Sequence, residues 1–392
     1  MEMNIGKRIF HAIYSLIFVI FATMMVSCID EFNAEIGDSD TNIIVIEGNI
    51  MSDRECTFYL THSIALNSNE WGSDAYILDA EVSIIGTDGT NVNCKLQSPQ
   101  RCYTARLGKL SPDAKYSLVV KWDGATFTSE PATPLFAPEI ESVTYSQNEM
   151  TDAVSIYVND KPATSDKPVY VRWDFDETWE IQSHYRPHYF YDPLMDEVRP
   201  IRENEKKFKG WKKAVQTETM ISNSSKYVNN QIRDFRLRFI PGSDDRWERL
   251  YCLDVKQYAM SRAQYEYELA RRELSNEMGG MFAPLPSELY SNITCSDNKH
   301  RAIGFIGVCG APTTYRIWIE RGQVRYTDLL LLAVKVLDDE DTLSLPFHSI
   351  WERGYRIMDE EIPMGNWQWV SHYGVDVTSR GASLVKPDYW PN

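Results

Sequence analysis

The chain lacks the short motifs that announce common chemistry. It has no Cys-x-x-Cys, so a zinc knuckle or thioredoxin-type site has no signature. It has no G-x-S-x-G, no HExxH and no Walker loop, and its seven His are scattered. No cofactor is called for and no catalytic residue stands out. Positive charge is scarce in clusters: net charge is −16 and no stripe of Lys or Arg forms. Neutralising phosphates needs clustered cations, so nucleic acid is not expected as a partner. After Arg54 there is no second apolar run of spanning length; LLLLAVKVL (329–337) is too short to cross a bilayer and is expected to be a buried element.

What is present points to a packed, sheet-built protein. Of 392 residues, 43 % are apolar and 12 % aromatic, which suffices for a core and argues against disorder. The length suggests two or three domains. Short Val/Ile/Tyr/Thr runs punctuated by 18 Pro and 20 Gly favour β structure.

The N-terminus carries its own message. Lys7 and Arg8 precede an apolar segment from Ile9 to Val26, then Ser27 and Cys28. Small residues before a Cys at the end of a short apolar run read as a lipoprotein export signal over 1–27, cut before an acylated Cys28. The alternative is an uncleaved membrane anchor, since the segment is just long enough to span. An anchor helix has no need of a Cys at its end, which favours acylation. Acyl chains hold a protein to a bilayer at about 0.8 kcal/mol per buried methylene. Residues 28–41 then form a polar tether.

Residues 42–135 read as a β-sandwich of the prealbumin or Ig-like kind. In DAEVSIIG, Val82 and Ile84 share one face, and Asp88-Gly89 is a hairpin turn signal. PATPLFAP ends the module as a stiff linker. Residues 139–392 form a second, mixed β-rich (α+β) domain. Within it VYVRWDF alternates, and 183–210 is a long aromatic and charged insertion. One prominent helix is expected near 261–278. Ser261 and Gln264 form a capping box, Ala263, Tyr267, Ala270, Leu274 and Met278 form a packing face, and Gln264, Glu268, Arg271 and Ser275 a wet stripe. Gly279-Gly280 stops it. IGFIGVCG and TYRIWIER are expected to pair as a hairpin. The fold class is therefore mainly β.

Six cysteines follow Cys28, and export would let them oxidise. Local spacing favours Cys94 with Cys102 and Cys295 with Cys309; the alternative is free buried thiols.

Candidate sites are few. His184 and His188 have metal-ligand spacing, but Pro187 between them opposes a helix, so no metal site is expected. Tyr185, Tyr189, Phe190 and Tyr191, with Trp179 and Trp211, offer a platform for sugar or peptide faces; alternatively they pin the insertion to the sheet. Asp338, Asp339, Glu340 and Asp341 lack the alternation of a calcium loop and read as a solvated turn.

Several stretches together carry a resemblance. SRAQYEYELARRELSNEMGGMFAPLPSELYSNITC, IGFIGVCGAPTTYRIWIE and RGASLVKPDYWPN, with IIVIEGNI and AEVSIIGTDG near the front, resemble in order a Bacteroidota lipoprotein family, Domain of Unknown Function 4249. Asp30 and Glu31 resemble the acidic tag of surface-exported lipoproteins in that phylum. Where the family often has a Cys-x-x-Cys before its terminal KPDFW, this chain has Gly374 and Val377, which implies a lost disulfide. The resemblance implies an outer-membrane, cell-surface lipoprotein, a non-enzymatic ligand-capture or accessory partner of a TonB-dependent receptor. Surface adhesion is the alternative, and hydrolysis of a glycan or peptide a more distant one.

Overall fold

The computed structural model describes residues 43–62, 75–162, 167–214, 216, 218–277, 290–297, 299–337, 345–361 and 366–391. Cys28, the tether and the acidic turn at 338–341 lie outside the described residues.

Strands form where apolar residues alternate. The first part holds β1 (Ile43–Met51), β2 (Glu55–His62), β3 (Glu81–Gly86), β4 (Asn91–Asn93), β5 (Lys95–Gln97), β6 (Cys102–Arg106), β7 (Tyr116–Trp122) and β8 (Ala125–Ser129). β1, β2, β6 and β5 lie in one sheet; β8, β7, β3 and β4 lie in a second. Ile44, Ile46, Phe58 and Leu60 of the first meet Ile84, Tyr116, Leu118 and Phe127 of the second, all nearly excluded from water. Burying each such side chain contributes about 1.5–3 kcal/mol.

The chain continues through β9 (Ile140–Gln147), β10 (Val154–Asp160), β11 (Tyr170–Gln182), β12 (Tyr189–Asp192), β13 (Glu197–Pro200), β14 (Lys209–Ala214), β15 (Met220–Asn223), β16 (Phe235–Ile240) and β17 (Leu250–Met260). Helix α1 (Arg262–Glu277) follows, then β18 (Ile293–Cys295), β19 (Arg301–Ile303), β20 (Ile306–Cys309) and β21 (Thr313–Glu320). Last come α2 (Leu329–Ala333), β22 (Val336–Leu337), α3 (Phe347–Glu352), β23 (Tyr355–Glu361) and β24 (Asn366–Ser371). β14, β11, β17 and β21, with β15 also on β11, pack against β16, β10 and β9. At their centre the Trp173 ring stacks on Phe235 at 4.3 Å. Its indole N–H donates to Gln257, whose amide donates to the Pro138 carbonyl in the linker at 3.0 Å.

The mainly-β class and the leading sandwich are as the alternation implies. The boundary is not. The module expected to close at residue 135 is completed by residues from 293 to 309. β19 and β20 pair in parallel with β1, joining Ile44 to Ala302 and Asn49 to Gly307, and β18 pairs with β8 through Cys295 and Phe127. These strands cover edges of β1 and β8. Gly304, at φ +122°, passes so close to β1 that a Cβ would overlap the Ile46 carbonyl oxygen.

Four other expectations are corrected. IGFIGVCG and TYRIWIER do not pair: β20 joins β1 and β21 joins β17. Cys295 and Cys309 therefore sit in opposite sheets. Gln97, not Cys94, is the residue opposite Cys102, and Cys56, Cys94, Cys102, Cys252, Cys295 and Cys309 are all free thiols. The LLLL run is short helix α2, with Leu329 and Leu331 about half exposed at 54 % and 49 %. Helix α1 starts at Ser261, whose hydroxyl accepts from the Gln264 N–H at 3.0 Å, but it has no simple wet stripe. The Gln264 side chain is buried and donates to Asn49 of β1 at 2.8 Å, while Tyr267 donates to Glu47 at 2.7 Å. On its other side Tyr265 packs with Ile221 and Met260. The helix thus bridges the leading sandwich and the second one.

Candidate functional site

A third, smaller layer forms around the insertion. β12 and β13 make a hairpin in which Phe190 faces Arg199 and Tyr191 faces Val198. β22, β24 and β23 form a separate sheet beside it. Tyr191 is buried with Ile350, Ile357 and Trp369. Its ring meets those of Phe347 and Trp369 edge-on at 6.0 and 5.9 Å, and Tyr189 meets Trp367 at 5.0 Å. Edge-to-face pairs of this kind contribute about 0.5–1.5 kcal/mol beyond area burial. The Tyr191 hydroxyl donates to Asp196 at 2.7 Å; burial first, then that carboxylate, push its pKa up to about 12.

Between hairpin and sheet lies a cavity of about 260 Å³. Pro187, Tyr189, Phe190, Tyr191, Trp351 and Arg356 are among its walls, and Glu205, Lys207 and Asp376 also reach it. Its charged groups differ in how they are satisfied. Arg199, its guanidinium 4.8 Å from the Phe190 ring centre, forks onto Glu205 through bonds of 2.6 and 2.8 Å. This fork, with the Arg202 N–H, holds the Glu205 carboxyl down at about 2. Lys207 pairs with Asp376 at 3.1 Å, and Asp376 also accepts from the Thr378 N–H at 2.8 Å. Arg356 spends one nitrogen, Nη1, on the carbonyls of Trp351 and Tyr355 at 3.1 and 2.7 Å. Its guanidinium lies 4.9 Å from the Trp351 ring centre. Among the described residues no carboxylate comes within ion-pair distance of it. Burial holds its pKa below the usual arginine value, with Asp376 opposing.

Of the six aromatics expected to form a platform, Tyr189, Phe190 and Tyr191 wall this cavity. The other three do not. Trp179 is buried in the second sandwich, with its N–H on Asp245 at 2.9 Å and Arg246 4.4 Å from its ring centre. Trp211 is buried with Cys252 and Trp390. Tyr185 lines a neighbouring cleft of about 340 Å³ with His184 and Asp328. The two histidines go separate ways: His184 bonds Asp328 at 2.6 Å and His188 bonds Asp359 at 2.9 Å. Among the described residues no group of three or more His, Cys, Asp or Glu is placed to hold a metal. A Cβ at Gly374 would press on Val334 at 2.8 Å, and Val377 is fully buried, so the chain uses both positions for packing.

Trp351 and Arg356 were missed by sequence reasoning. Their only local signal is the aromatic and basic run WERGYR, 351–356, which does not say which insertion it faces.

Comparison with known proteins gives a family and little more. The family model described as "Domain of unknown function (DUF4249)" matches residues 29–314. No curated protein matches. Among solved structures, a two-domain fibronectin type-III segment from chicken tenascin is 9 % identical, with 55 % of this chain and 88 % of that one covered at a TM-score of 0.14. Among the described residues no helix is long and apolar enough to cross a membrane.

Proposed function

The chain belongs to the DUF4249 family, and from that premise we propose that it is a non-enzymatic ligand-capture protein, held to the outer membrane of a Bacteroidota cell by lipid on Cys28 and serving a TonB-dependent receptor. The observation that carries the capture reading is the aromatic-walled cavity beside Arg356. Its two acids support binding over hydrolysis. Glu205 is bonded through both oxygens to Arg199, and Asp376 is taken up by Lys207 and Thr378, so each is already engaged by donors of the chain itself. The anchor and the receptor rest on the leader's charge and apolar pattern and on the acidic residues after Cys28.

Detergent extraction of native outer membranes, followed by affinity purification, tests the partnership. A receptor should co-purify; repeated recovery of the chain alone removes the receptor from the proposal. Replacing the anchor sulfur, Cys28→Ser, should move the protein from the membrane fraction to the soluble one. Retention in the membrane would overturn acylation. Turnover of a glycan or peptide polymer by the purified protein would overturn the non-enzymatic reading.

A further inference from the structure

We infer that Arg356 reads a carboxylate, and that the cavity takes small monoanionic carboxylates bearing one apolar or aromatic ring. This rests on the capture reading above and specifies its ligand class.

Three observations carry it. The first is a count of charge partners. Both oxygens of Glu205 are bonded to Arg199, Lys207 is paired with Asp376, and Arg356 is the cavity's cation with no carboxylate at ion-pair distance among the described residues. A guanidinium has five donors in a planar fork. Among the described residues Nη1 alone is committed, and to neutral carbonyls. Arg356 is half-buried, and a partly desolvated charge that lines a cavity without a counter-charge is one that a bound anion completes.

The second observation is geometry. The Trp351 ring lies under the guanidinium, and the two carbonyls fix its Nη1 edge. The fork is therefore held in one plane, as bidentate recognition of a planar carboxylate requires. The third is size and wall chemistry. At about 260 Å³ the space is just below the range of roughly 300–1,000 Å³ typical of drug-sized ligands. It suits one ring and a short stem, and Tyr189, Phe190 and Tyr191 supply aromatic faces for that ring. Asp376 and Glu205 border the same space, but each is paired with a cation, which leaves Arg356 as one uncompensated positive charge. One carboxylate balances that charge, whereas a dianionic phosphate brings a second negative charge with no partner.

The test uses the full-length protein in detergent and equilibrium binding of three probes: 3-phenylpropionate, 3-phenylpropanamide and phenyl phosphate. The acid should bind roughly 10- to 100-fold more tightly than the amide, the value of a charge-assisted bond. Phenyl phosphate should bind more weakly than the acid. Arg356→Gln should abolish the preference for acid over amide, with the acid losing far more affinity than the amide. Arg356→Lys, which keeps charge without the fork, should recover only part of the preference. Phe190→Ala should weaken acid and amide alike. Equal binding of acid and amide to the wild-type protein overturns the carboxylate assignment and leaves the capture reading standing. Tighter binding of phenyl phosphate also overturns it. Failure of all three probes to bind overturns the assignment and the capture reading together. The wild-type comparison needs no variant, so the proposal stays falsifiable if Arg356→Gln does not fold.

Discussion

Asp160 ends β10 with its side chain almost fully buried and neither carboxylate oxygen hydrogen-bonded among the described residues. Burial pushes its pKa from 3.8 up to about 7, with the charge of Arg233 pulling the other way. The sign follows from proton linkage. The folded state holds this proton more tightly than the unfolded one, so the destabilisation is absent below about 4 and grows as pH rises to about 7. Asp160→Asn should therefore stabilise the protein at pH 8 by about 1–3 kcal/mol and have little effect near pH 4. Urea unfolding of both proteins across that range checks it; a pH-independent difference would show that the carboxyl is not the titrating group. Glu205, held at about 2 by Arg199, is the opposite case, a carboxylate that keeps its charge because a cation meets it. The same contrast limits what single residues disclose in the sequence. Tyr189, Phe190 and Tyr191 were legible as an aromatic run. Trp179 is aromatic as well but sits in a strand whose inward face buries it. Type alone does not separate a wall from a core; that needs the partner strand.

At the scale of elements, α1 is where periodicity and packing part company. Its start at Ser261 was legible from the cap, while Met278 and the expected stop at Gly279-Gly280 lie outside the described residues. Its packing face was legible at Tyr267, which is buried, but its wet stripe was not, because Gln264 buries its amide against β1 instead of turning it to water. A helix that touches two sheets has no clean wet stripe, so the amphipathic pattern misplaces its polar contacts. Two substitutions separate these contributions. Tyr267→Phe deletes one hydrogen bond to Glu47 and should cost about 1–2 kcal/mol. Ser261→Ala removes the cap and should cost about 1 kcal/mol. Urea denaturation gives both values. Amide exchange distinguishes them: Tyr267→Phe should speed exchange in β1 as well as in α1, whereas Ser261→Ala should act on the first turn of α1. Equal exchange in β1 for the two variants would mean that the helix does not brace that strand.

At the scale of the molecule, local pattern says that a segment is a strand but not which strand receives it. β3 and β7 could be read from alternating Val82 and Ile84 and from Tyr116, Leu118 and Val120, and they do pair, Ile84 with Leu118. β20 could be read as a strand too, from IGFIGVCG, whereas β18 and β19 were not read at all, and the partners of all three lie far away in sequence. Nothing in IGFIGVCG encodes that Gly307 will face Asn49. Arg356 was invisible for the same reason: its pocket exists only after the hairpin of β12 and β13 meets β23 and α3. The leading sandwich is consequently built from two distant stretches, and this has a direct consequence for dissection. A fragment of residues 42–135 would leave the β1 edge unpaired and expose Ile44, Ile46 and Ile50, which now share a core with Ala302, Ile306 and Val308. Unpaired apolar edges of this kind aggregate. We expect the fragment to give a poorly dispersed amide spectrum and to self-associate. Adding a peptide spanning residues 290–312 should restore dispersion, because it supplies β18, β19 and β20 together. A well-dispersed, monomeric spectrum from the fragment alone would mean that the returning strands decorate a sandwich already complete without them.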